Sequence, residues 1–402
     1  MRAQILRLLT ISAVALMITS CFKERSSIAV LPAYNNEQPI ELTFSIPSNA
    51  ASRAMSETDE NEIGIINVLA FFKSGSDYRF GYYAKEKSRN IGSIALPTPG
   101  RQLKLTVEAR GYALEQCFVV LANASDELAQ ALSSLPVGQT LENVMAKIVS
   151  TKGAGEWIDE NGNFAPIPMY AKTNSYLITA DMDIGKIPHS YPLIRMLARV
   201  DIRLKEGIDN FELEEAMLYN HKTAGFVSYE FSDFKLDIGG TLVTPDGTNE
   251  ATEKGSRVTK AAVPPDSYNS NYDGDPIVPG TVTYLADNGE FISTIYAFES
   301  PAYTEEDRLT GTAIIIGGKY NGSDDITYYR INLKLDDDTS DNASSHILRN
   351  HLYNVVIKSV SSPGYETEED AYMGGSEIEI YVGLQDWDNC EDIGIKEIDL
   401  IW

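Results

Sequence analysis

Between Ile194 and Leu204 the residues alternate almost without a break. Ile194, Met196, Ala198, Val200, Ile202 and Leu204 fall on one side, with Arg195, Leu197, Arg199, Asp201 and Arg203 on the other. A period of two belongs to a β-strand. This pattern predicts one strand with an apolar face toward a core and a charged face toward solvent. The same period recurs at Ile40–Ile46 and Leu103–Ala109, and strand patterns also cover Ile63–Phe72, Phe291–Phe298, Thr312–Ile316, Tyr328–Leu335, Leu352–Val360 and Ile378–Leu384. Cys117–Leu121 is apolar throughout, as expected of a central strand. Helical spacing is confined to Ser125–Ser134 and Thr140–Val149; in the latter, Leu141, Val144, Met145 and Ile148 share one face. The chain therefore reads as all-β, with two successive β-sandwiches and short helical decorations. A break at Gly185–Pro192 divides it into domains at 54–188 and 189–402. Residues 236–280, rich in Gly, Pro, Asp, Thr and Asn, read as long loops or an excursion.

The 402 residues carry a formal net charge of -25. The first 53 hold five Lys/Arg against three Asp/Glu, leaving 28 basic and 55 acidic residues in the remainder. Such a surface repels phosphate backbones and anionic lipid, which argues against a nucleic-acid partner.

The sequence holds no catalytic signature. Its four histidines (His189, His221, His346 and His351) form no metalloprotease or zinc spacing, and neither a GxSxG nor a phosphate-binding loop is present. Acidic groups at Asp181/Asp183, Asp273/Asp275 and Asp336–Asp338 read as solvated loops without EF-hand spacing. We expect no catalytic residues, no metal and no cofactor. Tyr78, Tyr82 and Tyr83, or Tyr268 and Tyr272, are candidates for a glycan-stacking surface, although strand tyrosines are more often half-buried sheet residues.

The N-terminus carries the sharpest signal. A basic start (Arg2, Arg7) precedes an apolar stretch from Ile11 to Ile18 and then Thr19-Ser20-Cys21. This layout is that of a secretory signal. Its ending resembles the lipobox of bacterial lipoproteins, in which the cysteine is lipidated, so residues 1–21 read as a lipoprotein signal with Cys21 as the lipidation site. Residues 22–53 then form a tether and a first strand. Pro47–Glu60 is small and polar, an exposed loop suited to nicking, and Arg53 is the only basic residue between Arg25 and Lys73. Cys117 and Cys390, the remaining cysteines, lie far apart and are expected to stay unpaired.

Taken in order, these pieces resemble the fimbrillins, the FimA-type pilins of Bacteroidales fimbriae. The resemblance rests on Cys21 before Ile40–Ile46, the loop Ser52-Arg53-Ala54, and the corner Val119-Val120-Leu121-Ala122-Asn123. It rests also on Pro166–Tyr170, Leu193–Ile202, Arg349–Val355 and the late Asp386-Trp387. It implies transthyretin-like sandwiches and an exported lipoprotein precursor at the outer membrane. An arginine-specific protease would cut between Arg53 and Ala54 and free the strand bearing Ile40, Leu42, Phe44 and Ile46. A neighbouring pilin subunit would then fill the gap by donor-strand exchange, yielding an extracellular fimbrium. The donor the resemblance implies is the C-terminal segment 392–402, through Ile395, Ile398, Leu400 and Trp402. Lipoprotein export machinery and a host or bacterial surface ligand are further implied partners. The alternatives are an anchored glycan-binding lipoprotein and the anchor or tip component of a fimbria.

Overall fold

The computed structural model describes, with short gaps, residues 36–46, 62–152, 165–179, 190–229, 236–250, 282–300, 312–331 and 347–386, together with Trp157. The first half contains β1 (Glu37–Ile46), β2 (Ile66–Ser74), β3 (Asp77–Tyr83), β4 (Lys85–Ile94), β5 (Gly100–Arg110) and β6 (Glu115–Ala122). Helices α1 (Ser125–Leu132) and α2 (Leu141–Met145) follow, and then β7 (Val149–Ser150), β8 (Met169–Lys172), β9 (Tyr176–Leu177), β10 (Ser190–Pro192) and β11 (Ile194–Arg195). Two sheets face each other. One runs β10-β1-β5-β4, and the other runs β11-β8-β6-β2-β3, with β9 also pairing with β6. Between them lies a core that draws Leu42 and Phe44 from β1, Leu103, Leu105 and Val107 from β5, and Phe118 and Val120 from β6.

The second sheet of this pair is covered on its other face as well. Val119 and Leu121 of β6 join Leu128 of α1, Val144 and Met145 of α2, and Trp157 in a separate apolar cluster. Burial on both faces explains why Cys117–Leu121 shows no alternation. Thr140 caps α2, its Oγ1 accepting from the Asn143 backbone N–H at 3.2 Å. The helix stops well short of Val149, because Val149 and Ser150 are drawn into a strand pair with the second half of the chain. At the corner after β6, Asn123 adopts a left-handed φ of 58°, a conformation asparagine tolerates better than most residues. Its side chain accepts from the Gly64 N–H at 2.8 Å and donates to the carbonyls of Glu62 and Ile167. This corner thus ties together two segments that the sequence keeps apart.

The second half contains β12 (Leu197–Leu204), β13 (Phe211–Tyr219), β14 (Gly225–Phe226), β15 (Leu236–Ile238), β16 (Thr241–Val243), β17 (Asn249–Glu250) and β18 (Val282–Leu285). It continues with β19 (Phe291–Phe298), β20 (Ala313–Tyr320), β21 (Ile326–Ile331), β22 (His351–Val360), α3 (Glu368–Met373) and β23 (Ile378–Asp386). A five-stranded sheet, β18-β19-β12-β22-β23, and a three-stranded sheet, β13-β20-β21, enclose one core around Val200, Ile202, Ile314, Ile316 and Val355. Strands β15, β16 and β17 form a small sheet of their own inside the segment read as an excursion. The fold is all-β, built from sandwich-like sheets with few helices. No helix among the described residues is long and apolar enough to cross a membrane.

The run Ile194–Leu204 departs from its sequence reading. It is two strands, not one, divided at Met196. β11 joins the first half by pairing with β8, and β12 joins the second by pairing with β19 and β22. Two of its three arginines do not face water: Arg195 is fully buried and Arg199 is 1% exposed, while Arg203 is half-buried. Arg199 is held by Asp201 at 2.8 Å, and Asp201 also accepts from the Thr294 hydroxyl. A guanidinium tolerates such a position when its charge is paired and its donors are occupied.

Lys222 is another buried cation, 3% exposed, and burial lowers its pKa to about 8. A lysine with a depressed folded pKa makes stability rise with pH through the interval from that value to its ordinary one. Below about pH 8 the cost of the buried charge is present in full. Lys222→Met is therefore expected to raise stability at neutral pH and to flatten the rise between pH 8 and 10.5, read from urea unfolding at a series of pH values.

Candidate functional site

The residues of β1 form the most distinctive site in the described structure. Ile40 and Ile46 are 2% exposed, and Leu42 and Phe44 are fully buried, whereas Glu37 and Pro39 are exposed. The alternation legible in the sequence is thus the alternation of the strand. β1 lies inside its sheet, with β5 on one side and β10 on the other. The antiparallel register with β5 is unbroken from Glu37↔Arg110 to Ile46↔Arg101. With β10 the pairing is parallel and short: Thr43↔Ser190, Phe44↔Tyr191 and Ser45↔Pro192.

The ends of β1 are held by polar contacts. Asn36 O accepts from the Gly111 N–H at 2.8 Å, Glu37 pairs with Arg110 at 3.2 Å, and the Leu193 N–H donates to Ser45 O at 3.0 Å. Gln38 is buried, and its Nε2 donates to Thr179 O at 2.5 Å. The seat of Phe44 is built around Tyr191, whose ring lies 6.2 Å away, centroid to centroid. The Tyr191 hydroxyl accepts from the Asn174 N–H at 3.1 Å and is hydrogen-bonded to the Tyr176 hydroxyl. Burial, and then the bond to Tyr191, push the Tyr176 phenol well above its ordinary range, so that ring stays neutral.

These contacts make β1 a strand of large gross energy and small covalent commitment. Burying its four apolar side chains contributes on the order of 6–12 kcal/mol before ordering costs. In sequence, β1 is joined to Glu62, the next described residue, through 47–61, the segment that contains Arg53. Among the described residues, β10 has no sheet neighbour other than β1. Removing β1 would therefore leave β5 with an unpaired edge and deprive Ser190–Pro192 of its sheet. An open edge of this kind is a template for another strand.

The strand assignment places Ile40, Leu42, Phe44 and Ile46 together in one core. Cys21, Arg53, Ala54, Ile395, Ile398, Leu400 and Trp402 lie outside the described residues, as do Cys390, His346, the candidates Tyr268 and Tyr272, and the three acidic groups. Cys117 is buried within β6. Of the tyrosine hairpin, Tyr82 is a core residue, donating to Gln116 Oε1 at 2.9 Å and accepting from the Arg110 N–H at 2.8 Å. Tyr78 binds the Ser175 hydroxyl, and only Tyr83 is substantially exposed. The described residues contain no group of three or more potential metal ligands. Sequence reading missed β10 and Tyr191. A three-residue strand has no measurable period, and nothing local marks Tyr191 as the neighbour of Phe44.

No known protein-family profile matches this chain, and no curated protein matches it. Solved structures do. The tip fimbrial protein Mfa3 from Porphyromonas gingivalis, with a C-terminal truncation, is 14% identical at a TM-score of 0.47, covering 87% of this chain and 100% of that one. A fimbrial assembly protein from Parabacteroides distasonis is 13% identical at a TM-score of 0.43, covering 87% and 97%. The fimbrial anchor protein Mfa2 from Porphyromonas gingivalis is 12% identical at a TM-score of 0.29, covering 87% and 98%. These neighbours are described as fimbrial proteins. Likeness at this level assigns neither a subunit role nor a ligand.

Proposed function

We propose that this chain is a structural subunit of a cell-surface fimbria, exported as a lipoprotein precursor, cut after Arg53 and assembled by strand exchange. The observation that carries the reading is the placement of β1. It is an internal strand of the first sandwich, joined to the rest of the fold through a segment with a single arginine. One cut there converts a covalent core strand into a bound peptide. Cys21 lies on the same side of the cut, so the lipid leaves with the strand. In the released subunit, β5 offers a backbone edge beside an apolar groove. A strand from the next copy restores both, and because donor and acceptor surfaces differ, the contact propagates into a filament.

Treating the purified precursor with an arginine-specific protease is expected to yield a new N-terminus at Ala54, release residues 21–53 and start polymerisation. Arg53→Ala should leave the precursor folded, uncut and monomeric. Resistance of the native chain at Arg53, or cutting without assembly, overturns the reading. Retention of Cys21 on the mature surface protein would instead favour an anchoring role.

A further inference from the structure

β1 is bonded directly to the run of chain that joins the two halves. Its C-terminal part pairs with Ser190–Pro192, Phe44 packs on Tyr191, and Ser45 O accepts from the Leu193 N–H at 3.0 Å. The chain then passes through Ile194 and Arg195, which pair with Tyr170 and Met169 of β8, and the Met196 N–H donates to Pro168 O at 3.0 Å. One residue later it enters the second half. There the Asn350 N–H donates to Leu197 O at 2.7 Å, and Asn350 Oδ1 accepts from both the backbone N–H and the guanidinium of Arg195, at 3.3 and 3.2 Å. Tyr191, on which Phe44 packs, and Leu197, which opens β12, are six positions apart. We propose that occupancy of the β1 groove sets the order of the junction between the two halves. A filled groove holds Tyr191–Leu197 and its bonds to Asn350; an emptied one loosens both. The coupling rests on the strand-exchange reading above for how the groove empties, and adds a mechanical consequence. A subunit is stiff at its junction only while a strand lies in its groove.

The connector responds to β1 because its first bonds are made to that strand. Leu193 is fully buried, so departure of β1 strips a buried N–H of its acceptor. That costs free energy until the backbone moves to another partner. Tyr191 keeps its hydroxyl bonds to Asn174 and Tyr176. These fix the ring but not the backbone of Ser190–Pro192 that had lain along β1. The adjustment therefore falls on the residues after Tyr191, which have little slack: Leu193, Ile194 and Arg195 are all fully buried. A close-packed run of this kind transmits a shift rather than absorbing it. Asn350 receives it. Its left-handed backbone, with φ of 56°, carries the one oxygen that binds Arg195 twice. Its neighbour Arg349 holds Glu299 and the carbonyls of Phe226 and Val227, in the segment that pairs with β7. A displaced Arg195 thus disturbs the contact between the halves. By linkage the coupling runs both ways, and loosening the junction must weaken the hold on β1 by the same factor.

Hydrogen exchange in the full-length, uncut protein reads the first direction. Phe44→Ala is expected to speed exchange of the Leu193, Met196 and Asn350 amides by roughly tenfold or more. The Tyr365 N–H, bonded to Tyr328 O at 2.9 Å within the second half, should keep its rate. Phe44→Leu is the milder variant to use if the alanine protein does not fold. Asn350→Gly reads the reverse direction, since glycine accepts the left-handed backbone and removes Oδ1. In protein cut at Arg53 and freed of β1, this substitution is expected to lower affinity for a synthetic peptide of residues 37–46 by about fivefold or more. Adding that peptide to the cut parent protein should restore slow exchange at Asn350. Unchanged exchange at Asn350 in the Phe44 variant, or equal acceleration at Asn350 and Tyr365, overturns the coupling. Unchanged peptide affinity in Asn350→Gly overturns it as well and leaves strand exchange standing. Failure of the cut to release β1 overturns the strand-exchange reading, while exchange in the uncut chain still decides the coupling.

Discussion

Replacing Phe44 with alanine is expected to lower the stability of the uncut protein by about 3–5 kcal/mol. Phe44 is fully buried in the core between the two sheets of the first sandwich. Its loss removes both the transfer energy of the ring and the contact with Tyr191. The outward neighbour Thr43 supplies the control: Thr43→Ala should fall within about 0.5 kcal/mol of the parent, as surface substitutions do. Urea unfolding followed by near-ultraviolet dichroism reads both. In protein cut at Arg53 the same substitution should shorten the time for which the strand stays bound, since the ring then contributes to a binding energy. Equal effects at positions 43 and 44 would show that β1 is not seated through its inward face.

The second large effect is expected where the two halves meet. Arg349 is 1% exposed and pairs at 2.7 Å with Glu299, which is 3% exposed. It also donates to the carbonyls of Phe226 and Val227 at 2.9 and 3.0 Å. That segment reaches into the first half. β14 pairs with β7, and the Val227 N–H donates to Ile148 O at 3.1 Å. Beside it, Arg195 donates to Asn350 Oδ1 at 3.2 Å, and Asn350, in a left-handed conformation with φ of 56°, donates to Leu197 O. Arg349→Ala leaves Glu299 buried without its counter-charge and is expected to cost about 3–5 kcal/mol. The double substitution Arg349→Met with Glu299→Leu should recover part of this, because it removes both desolvation penalties but leaves the Phe226 and Val227 carbonyls without the guanidinium as donor. A double-mutant cycle by chemical unfolding measures the coupling. Additive losses in the cycle would show that the pair is not a unit.

Several features of this fold were legible before any tertiary information. The alternation in Ile40–Ile46 predicted a strand with one buried face, and the same four side chains are buried. Phe291–Phe298 was read with the limits it has in the structure, and Cys117–Leu121 was read as central because it lacks alternation. Other features were not legible, for identifiable reasons. The charged side of Ile194–Leu204 reads as solvent-facing because a residue's own sequence does not reveal whether a carboxylate or an amide from a distant strand will meet it. Asp201 is local, but Thr294, Asn350 and the whole of β22 are remote. The break at Met196 has no breaker residue. It exists because the chain passes there from a sheet of one half to a sheet of the other.

By itself the sequence determined the class of fold, the inward face of β1, and the pairing of a lone arginine with a strand upstream of it. These are properties of short stretches, set by the two-residue period and by residue type. The tertiary structure alone decided that β1 is an internal strand, that Ser190–Pro192 lies against it, and that Arg195 and Arg199 of the connecting run are interior. Each of these depends on which distant backbone completes a hydrogen-bond ladder and which side chain neutralises a buried charge, and no local pattern encodes such a choice.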